Sequence, residues 1–176
     1  MLHLTLSFLG EVKEDGLAAA IRTLDALEMV GRQVPSFRPA RLGFFPERGT
    51  PRVFVLLDDL PSPGLKSLHR DLCSALAAES RAAALPPLDA DWPDADHEGS
   101  RPRRPFKPHL TLARLRGEGS PRPFGEKTLA SAAELLSEAP NLTLDRLLLL
   151  ESRTLRGGPV YSPLAERRVG GKSEAR

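Results

Sequence analysis

The tetrapeptide His-Leu-Thr-Leu occurs twice in this chain, at residues 3–6 and again at residues 109–112. Successive side chains of a β-strand point to opposite faces, so the His and Thr of each copy share one face while the leucines share the other. The leucine face suits a hydrophobic core. The other face presents an imidazole, which exchanges a proton near neutral pH, beside a hydroxyl that can bond a substrate oxygen. The repeat therefore predicts two reactive strands.

Repetition distinguishes these residues from ordinary surface histidines. A single His-x-Thr on a strand is more often a solvent-facing or satisfied histidine than part of a site. This chain has four histidines, however, and two of them lie in the repeated tetrapeptide. Internal repetition indicates a duplicated structural unit. Two such pairs facing one cleft would put an acid and a base on opposite sides of one reacting atom, which favours a catalytic pair formed by His3 and His109.

The segments around both motifs resemble a known family. Residues 2–10 (LHLTLSFLG) and 106–114 (FKPHLTLAR) are similar to the 2H phosphoesterases, and most of all to their RNA 2′,3′-cyclic phosphodiesterase branch, the LigT-like or bacterial 2′-5′ RNA ligase group. Residues 151–153 and 158–161 resemble the C-terminal strand pair of that group. The resemblance extends from Leu2 to about Leu164. Family members carry a strand and a helix before the first motif, so we expect either a start further upstream or a shortened form.

The resemblance implies an α+β fold. Two lobes of antiparallel sheets, related by a pseudo-twofold axis, would have helices on their outer faces and both motifs in a central cleft. Within a single domain over residues 1–176, the hydrophobic pattern predicts strands and helices in mixed order. The predicted strands are residues 2–9, 37–45, 52–57, 106–115, 142–151 and 160–164. The predicted helices begin with a cap at Asp15, with Pro63 as first residue, and at Glu126.

Other stretches carry narrower expectations. The leucine run at residues 147–150 predicts burial on both faces, residues 80–105 break the pattern and predict a flexible insertion, and residues 167–176 predict a loose tail. His69 is interpreted as a helix boundary residue and not as a catalytic one. His97 is interpreted as a passenger in an acidic loop, and Trp92 as an anchor of that loop.

Composition limits the class of protein. Hydrophobic residues make up 40% and charged residues 27% of the 176 residues, as in soluble globular proteins. No apolar run can span a bilayer and no signal peptide precedes the first motif, so we expect a cytoplasmic monomer without membrane contact. The single cysteine, Cys73, rules out an intramolecular disulfide. Basic residues near the second motif would attract a phosphate or an RNA end: Arg101, Arg103, Arg104, Lys107, Arg114, Arg116 and Arg122.

The function implied by the resemblance is hydrolysis of RNA 2′,3′-cyclic phosphate ends to 2′-phosphates, without metal or cofactor. On that resemblance His3 donates the proton and His109 accepts it, although the symmetric motifs do not order these roles by themselves. The other candidate site residues are Thr5 and Thr111 for the phosphate, Arg114 and Tyr161 as further substrate contacts, and Phe8 as a nucleoside contact for which core packing is the stronger alternative.

Two points stay open at this stage. Arg114 lies an odd number of residues from His109, so it needs a bend or bulge to share the same face. The substrate is also open, because a 2H enzyme acting on another cyclic or 2′-5′-linked nucleotide would use the same residues. A module that binds RNA ends without turnover is the alternative from a different class.

Overall fold

The computed structural model describes residues 2–29, 31–82, 106–115, 124–156 and 158–170. All strand pairs within these ranges are antiparallel, which confirms the predicted α+β class with antiparallel sheets. In chain order the elements are α1 (Glu14–Ala26), β1 (Ser36–Phe37), β2 (Arg41–Phe45), β3 (Val53–Leu57), α2 (Pro63–Ala82), β4 (His109–Arg114), α3 (Glu126–Ser137), β5 (Leu142–Thr143), β6 (Arg146–Leu155) and β7 (Gly158–Arg168).

The chain forms two compact units. The first comprises residues 1–6, 36–62 and 107–143, and the second comprises residues 7–35, 63–106 and 144–176. Each unit is therefore assembled from three separate stretches of sequence. Both copies of His-Leu-Thr-Leu lie entirely within the first unit.

The first unit contains a three-stranded sheet in the order β2-β3-β4 and a small pairing of β1 with β5. One face of the larger sheet is apolar. The rings of Phe44 and Phe54 are 5.2 Å apart, and Phe54 also contacts Phe124 just before α3, at 5.4 Å. Leu110 shares this face through its pairing with Leu56 and is 5% exposed. Alternation puts the His and Thr of the second motif on the opposite face, together with their cross-strand partners Leu57 and Val55, which are 2% and 0% exposed.

The second unit packs α1 against α2 and against the β6-β7 hairpin. The stripe predicted for α2 is buried as expected, because its apolar residues recur every three or four positions. Its members are Leu65, Leu68, Leu72, Cys73 and Leu76. Pro63 is the first residue of α2, as predicted, since proline lacks the N–H that a first helical position leaves unbonded.

Three predicted strands differ from the structure because their halves have different partners. Residues 2–9 are wrong as a strand: Leu4 alone makes a bridge, and the chain passes from the first unit to the second after residue 6. The predicted strand of residues 37–45 is interrupted after Phe37, where the Arg38 N–H donates to the Asp58 carboxylate at 2.9 Å. Residues 142–151 divide into β5, which pairs with β1, and β6, which pairs with β7.

Further predictions need correction in the second unit. Of the leucine run, Leu147 alone is buried, since α1 is the one described helix that contacts this two-stranded hairpin. The first helix begins at Glu14 after Lys13, so Asp15 lies in the first turn and is not the cap. The predicted tail is ordered to Gly170: β7 reaches Arg168, and the Val169 N–H donates to the Asp145 carbonyl at 2.8 Å.

The predicted insertion lies mostly outside the described residues. Helix α2 continues to Ala82, two residues past the predicted break at Ser80. Residues 83–105, with Trp92 and His97, are not among those described, nor are residues 171–176.

A testable prediction concerns Asp71 on α2, whose carboxylate accepts hydrogen bonds from Arg32 at 2.8 Å and from Arg70 at 3.0 Å. Burial raises the pKa of Asp71, but the two arginines outweigh it and hold the pKa below its ordinary value. The ionised carboxylate therefore stabilises the fold above the pKa of the unfolded chain, and this contribution is lost as pH falls through the folded value.

We expect Asp71→Asn to lower the free energy of unfolding by about 1 kcal/mol at pH 7, and by progressively less below about pH 4. Thermal unfolding at several pH values measures this. Glu166→Gln is the matched control, because Glu166 is exposed and pairs with Arg146 at 3.8 Å. A cost for Asp71→Asn that is the same at pH 7 and at low pH would contradict the prediction.

Candidate active site

The two motifs meet through an isolated antiparallel bridge between Leu4 and Leu110. In an antiparallel pairing, the residue after one partner lies opposite the residue before the other. The His of each copy is therefore opposite the Thr of the other copy, and residues directly opposite project to the same face. The two leucines project to the other face. This register predicts that four polar side chains lie on one face of the first unit: His3, Thr5, His109 and Thr111.

A β-bulge at the last residue of the second motif brings Arg114 to the same face. Thr111 pairs with Val55, but the next pairs are Ala113 with Phe54 and Arg114 with Val53, so Leu112 is the extra residue. Val53 and Val55 are two positions apart on a regular strand and share a face. Arg114 lies an odd number of residues from His109, and the bulge supplies the shift of face that this spacing requires. Arg114 therefore joins His109 and Thr111 on one side of the sheet.

The His109 ring is held in one orientation. Its Nδ1 lies 2.8 Å from the Lys107 carbonyl oxygen. A carbonyl only accepts, so Nδ1 carries the proton and donates, which leaves the lone pair of the neutral imidazole on Nε2. The ring of Phe45 also contacts the His109 ring, perpendicular to it at a centroid distance of 4.9 Å. Neutral His109 therefore offers Nε2 as a base.

The backbone leading into His109 is fixed by neighbouring elements. Pro108 is fully buried, and its carbonyl accepts from the Asp58 N–H at 3.1 Å. The Lys107 ammonium donates to the Glu47 carboxylate at 2.8 Å, and this bond lowers the pKa of Glu47 below its ordinary value.

Sequence reasoning missed the residues that hold His109. The Asp58 carboxylate bonds the N–H groups of Arg38 and Leu60, and an aspartate directly after a strand was the available signal for this turn. Glu47 and Phe45 carry no comparable local signal.

Two candidate residues belong to the second unit. Tyr161 lies on β7 opposite Ser152 and is half-buried, and its contact with substrate stays a prediction. Phe8 is 66% exposed, so the core packing that the sequence favoured for it is wrong. Phe8 as a nucleoside contact stays a prediction.

His69 packs as a structural residue of the second unit. Its ring stacks on Phe106 with centroids 3.8 Å apart, and its Nε2 lies 3.5 Å from Cys73 Sγ one helical turn later. It is 9% exposed and so more buried than the predicted boundary position. Over the ranges that the structure describes, no three His, Cys, Asp or Glu side chains are grouped as metal ligands. None of the described helices has the length and apolar character needed to cross a bilayer.

Comparison with known proteins identifies the family. The family described as the 2′-5′ RNA ligase superfamily matches residues 1–155. The chain belongs to this superfamily. This confirms the resemblance to the 2H phosphoesterases. A relative, the RNA 2′,3′-cyclic phosphodiesterase of Geobacillus stearothermophilus, is 31% identical over 146 residues, a match that covers 82% of this chain. The chain spans 40% of the length of that relative.

Several solved structures have a similar fold. The protein TT0787 of Thermus thermophilus aligns with a TM-score of 0.55 and 29% identity, covering 97% of this chain and 79% of that one. Escherichia coli LigT complexed with phosphate aligns with a TM-score of 0.58 over 97% of this chain and 76% of that one. Its identity of 22% is evidence for the fold alone. The predicted LigT-like fold is therefore confirmed.

A testable prediction follows from the bulge at Arg114. Because the bulge puts this guanidinium on the face of His109 and Thr111, we expect Arg114→Gln to weaken binding of inorganic phosphate by about tenfold, the lower end for a charged hydrogen bond. Calorimetric titration measures the affinity. Arg52→Gln is the matched control, since Arg52 precedes Val53 by one residue and alternation puts it on the opposite face. Equal losses in the two variants would contradict the prediction.

Proposed function

We propose that this protein hydrolyses RNA 2′,3′-cyclic phosphate ends to 2′-phosphates by acid and base catalysis without a metal. The carrying observation is the antiparallel bridge of Leu4 with Leu110, whose register predicts that both His-x-Thr pairs share one face. The substrate class is supported by the name of the Geobacillus relative, an RNA 2′,3′-cyclic phosphodiesterase. Imidazoles exchange protons near neutral pH, so one histidine can act as the acid while the other acts as the base.

His109 is the proposed base. Its Nδ1 donates to the Lys107 carbonyl, so Nε2 accepts a proton from the water that attacks phosphorus. His3 is the proposed acid and donates its proton to the 3′-oxygen. The bond between the water oxygen and phosphorus forms as the bond between phosphorus and the 3′-oxygen breaks, leaving a 2′-phosphate and a 3′-hydroxyl. His109 then carries a proton that His3 lacks, and exchange with solvent restores both.

The hydroxyls and Arg114 stabilise the reacting phosphate. The bridge register predicts Thr5 opposite His109 and Thr111 opposite His3, which would give each imidazole a neighbouring hydroxyl. These hydroxyls and the Arg114 guanidinium donate to the non-bridging oxygens, where negative charge develops in the transition state.

The first prediction concerns the two imidazoles. General acid or base catalysis contributes about 10²- to 10⁴-fold, so we expect His3→Ala and His109→Ala each to lower kcat by that factor. Release of 2′-phosphate from an oligonucleotide ending in a 2′,3′-cyclic phosphate measures the rate, and circular dichroism checks the fold. Substantial hydrolysis by a folded His109→Ala variant would refute the assignment.

The second prediction concerns metal. We expect the same rate with and without EDTA, since the proposed proton transfers need no Lewis acid. A loss of rate with EDTA that zinc restores would redirect the assignment to a metal enzyme. Tight binding of the oligonucleotide with no turnover under either condition would favour the RNA-end-binding module.

A further inference from the structure

The turn after β2 contacts Lys107, which lies two residues before the second motif and outside the reacting set. Glu47 lies in this turn, and its carboxylate accepts from the Lys107 ammonium at 2.8 Å across 60 residues of sequence. The carbonyl of the same Lys107 accepts the Nδ1 proton of His109, also at 2.8 Å. Lys107 is thus held by its side chain while its backbone orients the imidazole.

A second contact reaches His109 directly, from the last residue of β2. Phe45, two residues before Glu47, packs its ring perpendicular to the imidazole at 4.9 Å. Pro108, between Lys107 and His109, has a fixed φ and restricts the preceding residue to extended conformations. The Pro108 carbonyl is bonded to the Asp58 N–H. The backbone that orients His109 is therefore restrained, and the side chain of Lys107 is the flexible part of the contacts that hold it. Glu47 is the ion-pair partner of that side chain.

Charge keeps this support in place at neutral pH. The hydrogen bond from Lys107 and its positive charge lower the pKa of Glu47, and the nearby charges of Arg41 and Arg48 lower it further. Glu47 is therefore an anion under the conditions in which His109 would act as a base.

We propose that Glu47 is a positioning residue that acts through Lys107 to keep the His109 imidazole in its Nδ1–H tautomer. This inference rests on the proposed function. Both members of the ion pair are about half exposed, with side chains 48% and 47% accessible. Exposed pairs are worth up to about 1 kcal/mol, which corresponds to roughly two- to fivefold in rate. The effect belongs in kcat and leaves KM unchanged, because Glu47 orients the base and does not touch the substrate.

The test compares Glu47→Gln with the wild type by two measurements. Steady-state kinetics on an oligonucleotide with a 2′,3′-cyclic phosphate end gives kcat and KM. Nitrogen-15 NMR of the imidazole, without substrate, gives the tautomer of His109. We expect kcat to fall two- to fivefold at constant KM, and the tautomer to change from Nδ1–H to a mixture of both.

Glu79→Gln is the matched control. It breaks the ion pair of Arg22 with Glu79 in the second unit, at 3.4 Å and with side chains 58% and 35% exposed. We expect neither kcat nor the tautomer to change in this variant. Exchanging the charges in a Glu47→Lys, Lys107→Glu double variant is expected to restore both quantities, which a general loss of folding would not allow.

The outcomes separate this inference from the proposed function. A wild-type tautomer together with wild-type kcat in Glu47→Gln would overturn the positioning role. A lower KM in Glu47→Gln would also overturn it, since Lys107 would then be a substrate ligand that Glu47 shields. If the wild type fails to hydrolyse the oligonucleotide, the proposed function is refuted, while the tautomer of Glu47→Gln still decides whether Glu47 orients His109.

Discussion

The pairing of Leu4 with Leu110 is the contact on which the candidate site depends. The two motifs are far apart in sequence, and one antiparallel bridge sets the register that gathers their polar side chains. The leucines supply the apolar face, with Leu110 5% exposed in the core of the first unit. A register shift of one residue would turn the imidazoles and hydroxyls toward that core. The same register therefore determines both how the leucine face packs and which side chains the reactive face presents.

Departures from regular strand geometry complete the site. The bulge between Thr111 and Ala113 resets the alternation, so a guanidinium that a straight strand would turn away joins the reactive face. The end of β2 and the turn after it contribute in a different way, through a ring contact of Phe45 with His109 and an ion pair of Glu47 with Lys107. Both features act on β4, whose backbone is already held by its pairing with β3 and by the bonded carbonyl of Pro108. The candidate site thus combines a regular sheet with two irregular features, a bulge in β4 and the contacts that Phe45 and Glu47 make with residues 107–109.

Features encoded locally could be predicted from the sequence, and features that depend on a distant partner could not. Proline at the start of α2 and the apolar stripe of that helix follow from residues within a few turns, and both were correct. The shared face of His109 and Thr111 follows from strand alternation in β4. The predicted strand at the first motif was wrong, because residues 7–35 belong to the other unit. The link from Glu47 to Lys107 spans 60 residues and leaves no periodic signal.

The central claim is that His3 and His109 act on one phosphate. The most direct measurement is an NMR titration of the two imidazoles with a nucleoside 2′-phosphate, the type of product that the proposed reaction releases. We expect both rings to shift with one common affinity, and each to stop responding when Thr5 and Thr111 are both replaced by valine. A titration in which one ring responds and the other does not would contradict a shared phosphate site.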